Sequence, residues 1–174
     1  MTVRGRRILG LLLAAAVFAI DRAIKHYVTH DLNLGLVEVV RLLPFFDLRW
    51  TQNFGVSLGM FTATSTDMKI ALILLTALIS IGVFVWMMRE KAMADIVGLA
   101  LVLGGALGNI YDRASRGFVI DYADLHFGNY RPFLIFNFAD AAITFGVLIL
   151  LARSLLLREK PAKRGDPATE IPDA

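Results

Sequence analysis

FLIFNFADAAITFGVLILLA, residues 133–152, is an apolar run of membrane-spanning length interrupted by a single charge, Asp140. A helix crossing the hydrocarbon core of a bilayer needs about 20 mostly apolar residues. An ionisable group within such a helix is costly and generally marks a site. Three other segments have a similar character. Ile70 to Met88 carries no charge, and Ile96 to Tyr111 is short and Gly-rich. Ile8 to Val28 is cleanly apolar only to Ile20, after which Asp21, Arg22, Lys25 and His26 appear. The sequence therefore predicts an all-α membrane protein with four transmembrane helices in one domain, residues 1–157. The tail, residues 158–174, is charged, holds Pro161, Pro167 and Pro172, and reads as disordered. No internal repeat is visible.

Composition agrees. The 174 residues are 57% hydrophobic and 19% charged, against roughly 45–50% and about 25% in soluble domains, and a soluble fold of this size could not cover so much apolar surface. A net charge of +3 could suggest nucleic acid, but the basic residues lie mainly in the two tails and one short loop, where membrane topology accounts for them. No nucleic-acid partner is expected. The absence of cysteine excludes disulfides, thiol catalysis and thiolate metal sites. His26, His30 and His126 are the only histidines, too few for an obvious histidine-based triad or multi-histidine metal site.

The N-terminus imitates a secretory signal peptide, with Arg4, Arg6 and Arg7 before an apolar stretch and Ala14-Ala15-Ala16. The stretch runs on past the alanines into a charged helical turn, which suits a retained first span. Lys and Arg bias sets orientation. Arg4, Arg6 and Arg7 precede span one, Arg89 and Lys91 lie between spans two and three, and Arg153, Arg158, Lys160, Lys163 and Arg164 follow span four. With four spans these sites share one side, so both termini are expected in the cytoplasm, with residues 29–69 and 112–132 facing outward. The bias is moderate, since the outward segments hold Arg41, Arg49, Lys69, Arg113, Arg116 and Arg131.

That topology gathers polar residues at one depth. Asp21 and Lys25 fall at the outer end of span one, Asn109, Asp112 and Arg113 at the outer end of span three, and Asn137 and Asp140 near the outer start of span four. At about 1.5 Å per residue, Asp140 is expected roughly 10 Å below Phe133. Structural roles compete for several of these residues. Asp21 and Lys25, spaced i, i+4, can pair at a helix end. Arg113 can snorkel to headgroups. Gly104 and Gly108 form a GxxxG that more often means close helix packing than chemistry. Asp140 resists such a reading. Asp121 is an unremarkable loop aspartate except that Phe118, Val119 and Ile120 lead into it and would hold it at the membrane surface.

Two carboxylates near an interface can share one proton, because like charges in close approach cannot both ionise. The ionised member takes a proton from water as that water attacks an amide carbonyl, and the protonated member donates to the carbonyl and later to the leaving amine. Other motifs compete. Gly55-Val56-Ser57-Leu58-Gly59 spells G-x-S-x-G, but that elbow belongs to an α/β-hydrolase sheet, which is not foreseen here. A Ser57–Lys25 dyad and a metal site of Asp121, Asp124 and His126 are further options.

Five motifs, in order along residues 8 to 157, resemble those of the lipoprotein signal peptidases (signal peptidase II). They are Asp21-x-x-x-Lys25; Asn53-Phe54-Gly55; Gly104-Gly105-Ala106-Leu107-Gly108-Asn109-Ile110-Tyr111-Asp112-Arg113; Gly117-Phe118-Val119-Ile120-Asp121; and Phe136-Asn137-Phe138-Ala139-Asp140-Ala141. Ser57-Leu58 departs from the Ala-Phe common in the family, and a tuned substrate cleft is the expected consequence.

The resemblance implies an aspartic endopeptidase of the bacterial inner membrane, multi-pass and monomeric, with its site near the periplasmic face. It would remove the signal peptide from diacylglyceryl-modified prolipoproteins, cutting just before the lipidated cysteine, with globomycin-type peptides as inhibitors and membrane lipid as a further partner. Asp121 and Asp140 would be catalytic. Asn53, Gly55, Asn109, Asp112, Arg113 and Asn137 would bind substrate or support the dyad, and Asp21 and Lys25 would form a structural polar pair. No metal and no organic cofactor is implied. The segment from about Asn33 to Phe61, with Phe45, Phe46, Trp50 and Phe54, would form a small β-like periplasmic platform on the membrane. The competing classes are a transporter or proton channel and a non-catalytic scaffold. The first predicts charges at several depths, whereas the inner halves of the spans carry none, and the second needs no Asp140.

Overall fold

The computed structural model describes residues 1–55 and 66–156. Ser57-Leu58, Phe61 and the tail from residue 158 lie outside the described residues. Four long helices carry the fold: α1 (Val3–His26), α3 (Thr66–Arg89), α4 (Met93–Arg116) and α5 (Phe138–Leu156). Between the first two of these lie a π-helical turn (Tyr27–Asp31), the short α2 (Leu34–Val37), and strands β1 (Val39–Leu43) and β2 (Phe46–Asn53). β3 (Val119–Leu125) joins α4 to α5. Helices α3, α4 and α5 are long and apolar enough to cross a membrane. α1 equals α3 and α4 in length but carries Asp21, Arg22 and Lys25 in its last two turns.

α4 is the central helix. Half of its membrane-length stretch is buried within the protein, against 17% for α3 and for α5, and it packs on α1, α3 and α5. Its glycines permit the approach. A Cβ on Gly104 would lie 2.5 Å from the Ala14 carbonyl oxygen of α1, and one on Gly105 would lie 2.4 Å from the Ala139 carbonyl oxygen of α5. Small residues letting backbones touch are the ordinary route to helix association in lipid, where burying apolar surface brings no gain. Ala14, Met87, Ile96, Leu99, Ala100 and Leu103 form the core below that contact. The outer faces of α3 and α5 leave Leu74, Leu78, Ile81, Phe145, Leu148 and Leu151 exposed, as a lipid-facing surface requires.

Basic residues knit the end opposite the sheet. Arg6 and Arg7 donate to the carbonyls of Lys91 (2.9 Å) and Glu90 (3.1 Å), and Arg153 pairs with Asp95 at 2.7 Å. The start of α1, the α3–α4 turn and the end of α5 therefore share one end of the bundle.

The β-like platform is a three-stranded antiparallel sheet in the order β1-β2-β3. β3 comes from the segment read in sequence as a simple outward connection. Six of its seven residues are buried, with Ile120, Tyr122 and Ala123 packed on Val28 and Leu34. Two helix boundaries also move. α4 continues to Arg116, placing Asp112 and Arg113 inside the helix. α5 begins at Phe138 and not Phe133, because Phe136 bridges to Ala123 beside β3 and keeps that run extended. Asp140 is thus in the first turn of its helix and not two turns below the start.

Candidate active site

β3 presents Asp121 with 2% of its surface exposed. β2 pairs Asn53 with Val119, so Asn53 and Asp121 are diagonal neighbours on one face, and Asn53 Nδ2 donates to Asp121 Oδ2 at 3.0 Å. Asp140 arrives from α5 through a reciprocal cap. The Asp140 amide donates to Asn137 Oδ1 (2.9 Å), and the Asn137 amide donates to Asp140 Oδ2 (3.2 Å). This is a capping box with Asn in the place of Ser or Thr and Asp in the place of Glu. α4 adds Asn109, whose Nδ2 donates to Asp140 Oδ1 at 2.8 Å.

Asn137 joins the two acids. With its oxygen committed to the Asp140 amide, its NH2 turns outward and donates to Asp121 Oδ1 (2.6 Å) and Asn109 Oδ1 (3.3 Å). Asn53 is oriented similarly: its oxygen accepts from the Gly55 amide at 3.0 Å, which leaves its NH2 for Asp121. The carboxyl pair is therefore ringed by carboxamide donors whose direction is fixed by what their oxygens accept. Burial, and then the neighbouring Asp140 charge, push Asp121 up to about 7, against the lowering effect of Asn53, Asn137 and Lys25.

Arg113 lies within electrostatic reach of Asp140 and Asp121 and donates to the Gly55 carbonyl at 2.7 Å. A cavity of about 240 Å³ opens beside the pair, lined by Asn53, Leu72, Thr76, Asn109, Arg113, Val119, Asp140, Ile143 and Thr144.

Asp21 and Lys25 pair at 3.0 Å, but Lys25 also meets Asp112 Oδ2 at 2.8 Å and Asn109 Oδ1 at 3.2 Å. Asp112 accepts from Arg22, from Arg116 at 3.0 Å and from the Ile120 amide at 3.4 Å. It borders the acid-bearing strand and does not line the cavity. The sequence's metal option is not brought together. Asp124 is taken by Arg49 (3.1 Å) and Arg131 (3.0 Å), and His126 faces Asp47 at 3.2 Å. Ser57 lies outside the described residues.

The family described as Signal peptidase (SPase) II matches residues 13–156. The chain belongs to the signal peptidase II family. It is 49% identical over 151 residues to the lipoprotein signal peptidase of Sphingopyxis alaskensis, covering 87% of each chain. It is 48% identical over 162 residues to that of Rhizorhabdus wittichii, covering 92% of this chain and 94% of the relative. Among solved structures it is similar to a bacterial membrane enzyme determined by the in meso method at 2.3 Å resolution, with TM-score 0.73, 26% identity, and 89% and 94% of the two chains covered. A signal peptidase II is a membrane peptidase.

Several contributors to this candidate site carry little sequence signal. Tyr122 accepts from the Phe138 amide at 3.1 Å and so helps hold the start of α5. Arg116 could have been assigned to Asp112 from its i, i+4 spacing. Arg22 reaches Asp112 from another helix, which no local pattern announces.

Proposed function

We propose that this protein is an aspartic endopeptidase that removes the signal peptide from diacylglyceryl-modified prolipoproteins, cutting just before the lipidated cysteine, with Asp121 and Asp140 as its catalytic pair. The observation that carries the reading is the Asn137 bridge, which donates from its side chain to Asp121 and from its backbone to Asp140 beside the cavity. A pair sharing one proton supplies a base and an acid at once. The base takes a proton from water as the water oxygen bonds to the scissile carbonyl carbon. The acid gives its proton to the carbonyl oxygen, forming a gem-diol. The gem-diol then returns a hydroxyl proton to one carboxylate while the other passes its proton to the amide nitrogen. The C–N bond breaks, and the pair again holds one proton.

Topology fits such a substrate. α1, α3, α4 and α5 would all span the bacterial inner membrane, with both termini cytoplasmic. The cluster of Arg6, Arg7, Lys91 and Arg153 at the end away from the sheet supports that orientation. The site would then lie near the periplasmic face, where a diacylglyceryl cysteine is held by its own lipid, and the enzyme would act as a monomer. Purified enzyme should cleave a lipobox peptide bearing a diacylglyceryl cysteine and leave the unmodified peptide intact, with mass spectrometry locating the cut immediately before the cysteine. Equal cleavage of both peptides, or a cut elsewhere, would remove the specificity assigned here.

A further inference from the structure

Lys25 has none of its side-chain surface exposed, and an ammonium group has three N–H donors to place. Lys25 forms ion pairs with Asp21 Oδ2 at 3.0 Å and Asp112 Oδ2 at 2.8 Å and donates a hydrogen bond to Asn109 Oδ1 at 3.2 Å. The two carboxylates offset its charge, and the third contact is to the Asn109 carboxamide, whose Nδ2 donates to Asp140 Oδ1 at 2.8 Å. An amide can turn over, presenting either its oxygen or its NH2 to a neighbour. Asn109 cannot do so at no cost, because its oxygen accepts from both Lys25 and Asn137 Nδ2 (3.3 Å), and reversal would set NH2 against two donors. Its NH2 is thereby committed to Asp140 Oδ1.

We infer that Lys25 is a positioning residue for the reaction: through the Asn109 carboxamide it keeps Asp140 as the ionised member of the pair, the base that takes the proton from water, and leaves Asp121 to act as the acid. The inference rests on the proposed aspartic mechanism. Asp140 also stands at the third residue of α5, where its carboxylate completes the cap and meets the positive end of the helix dipole. Asp121, in a strand, has no helix terminus behind it, although it accepts from Asn53 and Asn137 and lies within electrostatic reach of Lys25. The charged groups around the two centres are few. Asp140 faces Asp121 from β3 and Arg113 from α4. Lys25 faces Asp21 from its own helix, Asp112 from α4 and, at longer range, Asp121 from β3, and Asp112 is shared with Arg22 and Arg116.

The test is the acid limb of kcat against pH, which reports ionisation of the base in the enzyme–substrate complex. Asn109→Ala, Lys25→Met and the charge-balanced Asp21→Asn/Lys25→Met are purified and compared with wild type on a lipidated lipobox peptide. Loss of a hydrogen bond to a charged group changes an ionisation constant about tenfold or more. Asn109→Ala should therefore move the acid limb up by about one pH unit and lower kcat at least tenfold, with KM nearly unchanged. The Lys25 variant that folds should do the same, and adding it to Asn109→Ala should have little further effect, because both act on one contact. An Asn109→Ala enzyme with a wild-type acid limb overturns the inference whether or not any Lys25 variant folds. So does a Lys25 variant that loses kcat with an unmoved limb, or whose effect adds in full to that of Asn109→Ala. Failure of the mechanism itself is distinct: wild type would then cleave with neither acid required.

Discussion

Asp121→Asn should change how stability depends on pH, as well as activity. In the fold Asp121 is raised from 3.8 to about 7, chiefly by burial, which disfavours its ionisation by about 4 kcal/mol at ~1.36 kcal/mol per pH unit. The folded value lies above the unfolded one. Its favourable contribution is therefore complete below about pH 4, falls as pH rises toward 7, and is gone above 7. An asparagine at 121 has no such dependence. It instead presents an NH2 to Asn53 Nδ2 or Asn137 Nδ2, both already donors, at a pH-independent cost of about 1–3 kcal/mol. Wild type should thus be the more stable protein at pH 4, and the variant should match or exceed it at pH 8. For a chain of this length 1 kcal/mol corresponds to about 2–4 °C, so the swing in relative melting temperature is on the order of 10 °C. Thermal unfolding in detergent at the two pH values measures it. Parallel melting-temperature profiles for the two proteins would refute the reasoning, because they would mean that Asp121 ionises as readily in the fold as out of it.

Three further outcomes follow from the same geometry. Arg113→Ala removes a cation near both acids, so the second ionisation becomes harder and the alkaline limb of the pH–rate profile should move to higher pH; an unchanged or lowered limb in a folded variant would leave Arg113 only its contact with Gly55. Gly105→Val forces a side chain against the Ala139 carbonyl next to Asp140 and should destabilise by about 1–3 kcal/mol and cut turnover at least tenfold, whereas Gly82→Val, with nothing within 4 Å of the added Cβ, should change neither. A periplasm-active reporter should work when fused near Gly128 and fail when fused after Lys163, and the reverse pattern would invert the proposed topology.

The four long helices were legible because apolar runs of span length are a strong signal, and Asp140 stood out as the one charge in its run. The start of α5 was misplaced although its signal was present: Asn137 followed three residues later by Asp140 is a capping pattern, concealed here because the apolar residues 133–136 extend the hydrophobic run past the true helix end. β3 was hidden for a related reason. Its burial on both faces arises from packing on α1, α2 and β2, so it lacks the alternation that marks a half-buried strand. Asp21 and Lys25 were readable as a pair, but the further links of Lys25 to Asp112 and Asn109 depend on how α1 meets α4. That meeting is set by the close approach at Gly104, which the GxxxG spacing announced only as packing.

The most direct measurement is turnover of a diacylglyceryl-modified lipobox substrate by purified wild type, Asp121→Asn and Asp140→Asn, each verified as folded by its melting transition in the same detergent. A shared-proton pair predicts that wild type cleaves and that either single substitution abolishes cleavage, because a base or an acid alone cannot complete the proton cycle. Near wild-type turnover by either folded variant would contradict the assignment of Asp121 and Asp140 as the catalytic pair.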